Sequence, residues 1–152
     1  MNRPARTSRV APRALLALLV VLGALPGRAA AQDPLAKFTE RLTVAWARGD
    51  ASIIAAQLAE RGVSMKVEGE PAGPLATRQA KAVLRRVFDD VETVSVTLMS
   101  KKVLPGNPER AYLELLWTRR ARGTTIPDRG TVFVAVVDEG TGWRITDIRL
   151  LQ

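Results

Sequence analysis

The sequence predicts an α+β fold: three helices and one short strand, followed by a four-stranded antiparallel meander. Two observations lead there. Apolar residues recur at helical spacing over 35–46 and again over 80–88. From residue 91 onward the period switches to two, and the period-two runs are separated by Pro, Gly, Asn and Asp. The first 31 residues differ in composition from everything after them, basic at the front and then uniformly apolar.

Asp33-Pro34 opens the first helix, with Asp as N-cap and Pro at the first position, where its missing N–H costs nothing. Leu35, Phe38, Leu42, Ala45 and Trp46 form one apolar stripe on a helix running to about Arg48. Gly49 ends it and Asp50 caps the next. Ile53, Ile54, Gln57 and Leu58 predict a short second helix ending near Glu60, before Gly62. Val63, Met65 and Val67 alternate with Ser64, Lys66 and Glu68, a short strand with one wet face. Residues 69–74, Gly-Glu-Pro-Ala-Gly-Pro, are loop chemistry. Thr77 is the expected N-cap of a third helix, where Ala80, Val83, Leu84, Val87 and Phe88 share a face and Arg78, Lys81, Arg85 and Arg86 lie mostly opposite. Strands are expected over 91–103, 110–120, 131–137 and 143–150. Residues 32–152 read as a single domain, without repeats or low-complexity segments.

Residues 1–31 read as a signal peptide. Arg3, Arg6, Arg9 and Arg13 precede an uncharged apolar run over 14–25, and Ala29-Ala30-Ala31 supplies the small residues a signal peptidase needs, with cleavage expected after Ala31. The apolar run is about a dozen residues against the roughly 20 that span a bilayer, so no stable membrane insertion is expected after cleavage. No adjacent arginines precede it, and no cysteine is present to carry a lipid. The expected location is periplasmic or secreted. With Arg28, the leader accounts for five of the +8 net charge and leaves +3, which is no argument for nucleic acid.

The absent residue types exclude more chemistry than the present ones suggest. With no His and no Cys there is no Ser-His-Asp or Cys-His nucleophile, no imidazole acid–base catalysis, and no His- or Cys-ligated metal. No Gly-x-Ser-x-Gly, P-loop or Gly-x-Gly-x-x-Gly pattern occurs. No cofactor and no metal site are expected. Catalysis would fall to carboxylates, Tyr112, lysines or backbone amides.

The order of elements is joined by Ala47-Arg-Gly-Asp50 after the first helix and by Thr77-Arg-Gln-Ala80 with Val87-Phe88 in the third. Gly142-Trp-Arg-Ile145 opens the last strand. Together these resemble the nuclear transport factor 2-like superfamily, the cystatin-like cone, and within it a group of small secreted bacterial proteins of unknown function. The resemblance covers essentially all of 35–152. It implies three N-terminal helices packed on a curved antiparallel sheet. The fold hosts isomerases, dehydratases, cyclases, binding proteins and non-enzymatic partners, so it does not choose a function. The enzymatic branches imply carboxylate, tyrosine or histidine work inside the cone, carried over only in part to a chain whose single tyrosine is Tyr112.

Tyr112 and Glu114 share a strand face and are the weak catalytic candidates: a tyrosine donor beside a carboxylate whose pKa desolvation would raise. The competing reading pairs Glu114 with Lys101 or Arg144 across the sheet. Phe38, Trp46, Phe88, Trp117 and Phe133 are candidates to line an apolar pocket, or simply the core. Asp89, Asp90 and Glu92 lack a calcium-loop pattern. Arg119, Arg120, Arg122 and Arg129 are weak anion-binding candidates. Pairing strands about the turn at 105–108 sets Arg119 and Arg120 across from Thr93 and Val94, so mutual neutralisation with the acidic group is expected. Val132, Val134 and Val136 occupy one face of their strand and Phe133, Ala135 and Val137 the other, a pattern that predicts a homodimer through the sheet. The expected function is an exported binding or interaction domain holding a small apolar molecule in the cone. The alternative is an isomerase, dehydratase or cyclase acting on a small hydrophobic carbonyl compound.

Overall fold

The structure is a computed structural model that describes residues 33–67 and 73–151; the leader and its cleavage site lie outside them. Asp33 caps α1 (Pro34–Ala47) by accepting a 2.9 Å hydrogen bond from the Leu35 N–H. The helix stops at Gly49, whose φ of +64° is open to glycine, and where a side chain would press on the Phe88 ring. Asp50 then accepts from the Ser52 and Ile53 N–H groups and starts α2 (Ala51–Ala55). This helix is shorter than the apolar spacing predicts. The chain leaves it to bond with the last strand: Ile145 N–H donates to Gln57 and Ala59 N–H donates to Ile145. Sheet hydrogen bonds replace helical ones there.

β1 (Val63–Lys66) follows, and β2 (Gly73–Leu75) pairs antiparallel with it inside the stretch expected to be loop. The approach is close: at Gly62, with φ +95°, an added Cβ would sit 2.8 Å from the Leu75 carbonyl oxygen. α3 (Thr77–Asp89) begins one residue earlier than expected. Its N-cap is Ala76, which has no side-chain oxygen to cap the helix; the Ala76 N–H donates to the Gln79 side chain at 3.1 Å, the returning half of a capping box. The meander is β3 (Val91–Leu104), β4 (Arg110–Ala121), β5 (Asp128–Asp138) and β6 (Trp143–Leu151). β5 starts ahead of Thr131 because Asp128 and Arg129 continue the ladder opposite Arg119 and Thr118.

The described strands form one sheet in the order β2-β1-β6-β5-β4-β3. It is mixed rather than antiparallel throughout, because β1 runs parallel to β6. Register shifts in β3 at Thr93/Ser95 and Leu98/Ser100, and between β5 and β6 at Ala135/Val136, insert extra residues that bend the strands. The helices cover one face. Ala111, Leu113, Leu115 and Trp117 of β4, Val132, Val134 and Val136 of β5, and Ile145 and Ile148 of β6 are buried there against Phe38, Leu42, Trp46, Ile54 and Leu84. The alternate residues face away from the helices. Among the described residues no helix is long and apolar enough to cross a membrane.

Candidate functional site

Period-two alternation in β4 decides where Tyr112 and Glu114 go. Their neighbours Ala111, Leu113 and Leu115 are buried under the helices, so both project from the open face; Tyr112 is 49% exposed. Glu114 accepts a 3.1 Å hydrogen bond from Ser100 Oγ. Neither expected cation reaches it: Lys101 lies on the other face, 3.3 Å from Asp33, and Arg144 stands opposite Val137. A tyrosine and a carboxylate enclosed together in a dry interior are therefore not what the fold builds. The catalytic pair loses the desolvation its chemistry requires.

The aromatic candidates divide the same way. Trp46, Phe88 and Trp117 pack edge to face on one another, with centroids 5.4–5.8 Å apart, and Trp117 Nε1 donates to Thr93 Oγ1 at 3.0 Å. Phe38 is buried on the same face of α1, about two turns before Trp46. These four rings occupy the space between helices and sheet, where the expected pocket would lie. Phe133 projects from the opposite face, so the five do not line one cavity.

The arginines disperse as well. Arg120 stands opposite Glu92 and pairs with it at 2.6 Å, the expected neutralisation; the β3 bulge leaves Val94 out of the ladder and puts Arg119 opposite Thr93. Arg119 turns inward over the Trp117 ring at 4.7 Å, with Asp128 at 3.5 Å. Arg122 donates to the Asp89 and Phe88 carbonyls and so closes the C-terminus of α3. Arg129 stands on the open face opposite Thr118. Four side chains with four separate neighbourhoods make no common anion site. Among the described residues no group of His, Cys, Asp or Glu is arranged to hold a metal.

The sequence reading missed a cleft of about 420 Å³ on the open face, formed by Tyr112, Phe133, Ala135, Asp147, Arg149 and Leu151. Register explains it. Ala135 lies between Tyr112 on β4 and Asp147 on β6, and Phe133 lies beside Arg149. A methyl group among long side chains leaves a depression floored by Ala135. Asp147 holds Arg149 through bonds of 2.8 and 3.0 Å; that hydrogen-bonded carboxylate, then its charge, raises the guanidinium pKa, with Tyr112 adding a little. The signal was present in the sequence as Ala135 between larger outward-facing residues, but locating it required the cross-strand partners. On the covered side a smaller open cleft of about 290 Å³ lies among Val67, Val87, Val91 and Leu150, with Arg119 and Asp128 at its edge.

No protein-family model matches the chain, and no curated protein matches it significantly in sequence. Solved structures do match in shape. A DUF4783 family protein from Bacteroides uniformis superposes with a TM-score of 0.62 at 12% identity, covering 74% of this chain and 94% of its own. A ketosteroid isomerase-like protein from Erwinia carotovora gives 0.61 at 17% identity, covering 76% and 90%. An NTF2 design of the Rd1NTF2 series gives 0.58 at 15% identity, covering 78% and 96%. The fold is that of the nuclear transport factor 2-like cone, shared by proteins of unknown function and by isomerase-like ones.

Proposed function

We propose that this chain is an exported, non-catalytic binding domain whose working surface is the open face of its sheet. One observation carries the reading: the interior is filled by the Trp46–Phe88–Trp117 cluster, whereas the opposite face holds a cleft with exposed Tyr112, Phe133 and Leu151 around Ala135. Exposed aromatics around a small floor suit recognition, since they offer large apolar area and lose little conformational entropy on binding. The isomerase-like relative in shape supports the fold but not the chemistry, because Tyr112 is exposed and Glu114 lies half-buried beside it on the open face, outside the covered interior.

The tests are direct. N-terminal sequencing of exported protein gives Gln32 as the first residue; membrane-retained protein beginning at Met1 overturns export with cleavage. For binding, the uncharged apolar fluorophore N-phenyl-1-naphthylamine is titrated into the protein. Saturable binding is expected, weakened at least about tenfold by Ala135→Trp, which fills the cleft from its outer side with unfolding midpoint preserved. Absence of saturable binding, or equal binding by the filled variant, removes the open face as the working surface.

A further inference from the structure

The open face carries an excess of positive charge around its apolar centre. Lys66, Lys102, Arg110, Arg129, Arg144 and Arg149 occupy outward-facing positions of five strands, as do Arg120 and the Glu92 that neutralises it; Glu114 and Asp147 are the other acids there. The other acids of β5 are turned away: Asp128 stands opposite inward-facing Arg119, and Asp138 opposite buried Trp143. Only Arg149 of the six has an ion-pair partner among the described residues, and that partner is Asp147. Since residues 32–152 carry just +3 in all, the basic excess of the domain is concentrated on this one face.

We infer that this face docks an acidic polypeptide segment carrying one apolar anchor side chain. The inference rests on the open face being the working surface and names what occupies it. Charge complementarity selects the sign of the partner. The shape selects its kind: a depression of about 420 Å³ receives a side chain, whereas a lipid surface is engaged by groups that protrude. A second copy related by a two-fold axis would set this face on itself, arginines toward arginines. An unstructured acidic segment avoids that repulsion, delivers an anchor over Ala135 between Tyr112 and Phe133, and leaves its carboxylates to Arg110, Arg144 and Lys102.

The experiment measures anisotropy of a labelled peptide, Glu-Asp-Glu-Phe-Glu-Asp-Glu, at about 20 mM and at 300 mM salt. Its counterparts have Ala in place of Phe, or Lys in place of every acid. The acidic Phe peptide is expected to bind at least about tenfold tighter than either counterpart and to weaken at high salt, where screening shortens to under about 10 Å. Arg110→Glu with Arg144→Glu weakens it about tenfold and leaves the fluorophore titration intact, while Ala135→Trp removes the advantage of Phe over Ala. Equal binding of the three peptides overturns the inference, and so does any of three other outcomes: tighter binding of an oligothymidylate, tighter binding of phosphatidylglycerol vesicles, or micromolar self-association abolished by Phe133→Glu. If the fluorophore still binds, the recognition surface stands and only its occupant is wrong. If neither probe binds, both fall.

Discussion

Replacing Trp117 with alanine tests the division of the sheet into a covered and an open face. The ring is fully buried, meets Trp46 and Phe88 edge to face at 5.8 Å each, and its N–H bonds Thr93. Truncating a buried tryptophan costs about 3–5 kcal/mol. The ring contacts, about 0.5–1.5 kcal/mol each, and a hydrogen bond of about 1 kcal/mol place this site at the upper end of that range. Phe133 on the next strand is 36% exposed on the open face, so Phe133→Ala costs about 1 kcal/mol or less. Urea unfolding followed by far-ultraviolet circular dichroism separates the two. With a slope of about 2 kcal/mol/M, a loss of about 5 kcal/mol lowers the midpoint by about 2.5 M, against about 0.5 M for Phe133→Ala. A loss below about 2 kcal/mol for Trp117→Ala, or equal losses at the two sites, would refute the assignment of faces.

Arg122→Ala removes the side chain that bonds the last carbonyls of α3 and is expected to cost about 0.5–1 kcal/mol, read from the urea midpoint; Arg122→Lys recovers part of it. Gly62→Ala combines φ +95° with a Cβ 2.8 Å from the Leu75 oxygen, so a loss of about 1–3 kcal/mol is expected by the same measurement. Asp33 is held below its ordinary 3.8 by the Leu35 N–H it caps, with Lys101 assisting. Its folded pKa lies below the unfolded one, so its contribution is complete at neutral pH and is lost as pH falls through the folded value. Thermal midpoints from pH 7 to pH 2.5 should therefore fall less for Asp33→Asn than for the native chain.

Caps and turns were legible because they act over a few residues. Asp33-Pro34 and Gly49 bound the first helix and Asp50 starts the second from side-chain chemistry alone, and the switch to period two located all four strands of the meander. The nearness of Arg120 to the acidic group was legible, but its partner was not: the expected register set the two arginines opposite Thr93 and Val94, and the β3 bulge moves Arg120 onto Glu92. β2 was not, because three residues containing Gly73 and Pro74 become a strand only when Val63–Met65 is alongside. The parallel pairing of β1 with β6 was illegible for the same reason, since the partner lies some eighty residues away.

Alternation separated Tyr112 from Trp117, and Phe133 from Val134, as residues of opposite faces, and that much the amino-acid order determined by itself. Both faces of β4 and β5 carry apolar groups, so the local pattern is nearly symmetric and does not say which side the helices will cover. That choice belongs to the tertiary structure. α1 and α3 bring Phe38, Trp46 and Phe88 onto the Trp117 side, turning those rings into core and leaving Tyr112, Phe133 and Ala135 to form the cleft. The physical reason is that hydrophobic burial has no direction of its own: the helices' long-range packing selects the face, and the unselected face is left to solvent.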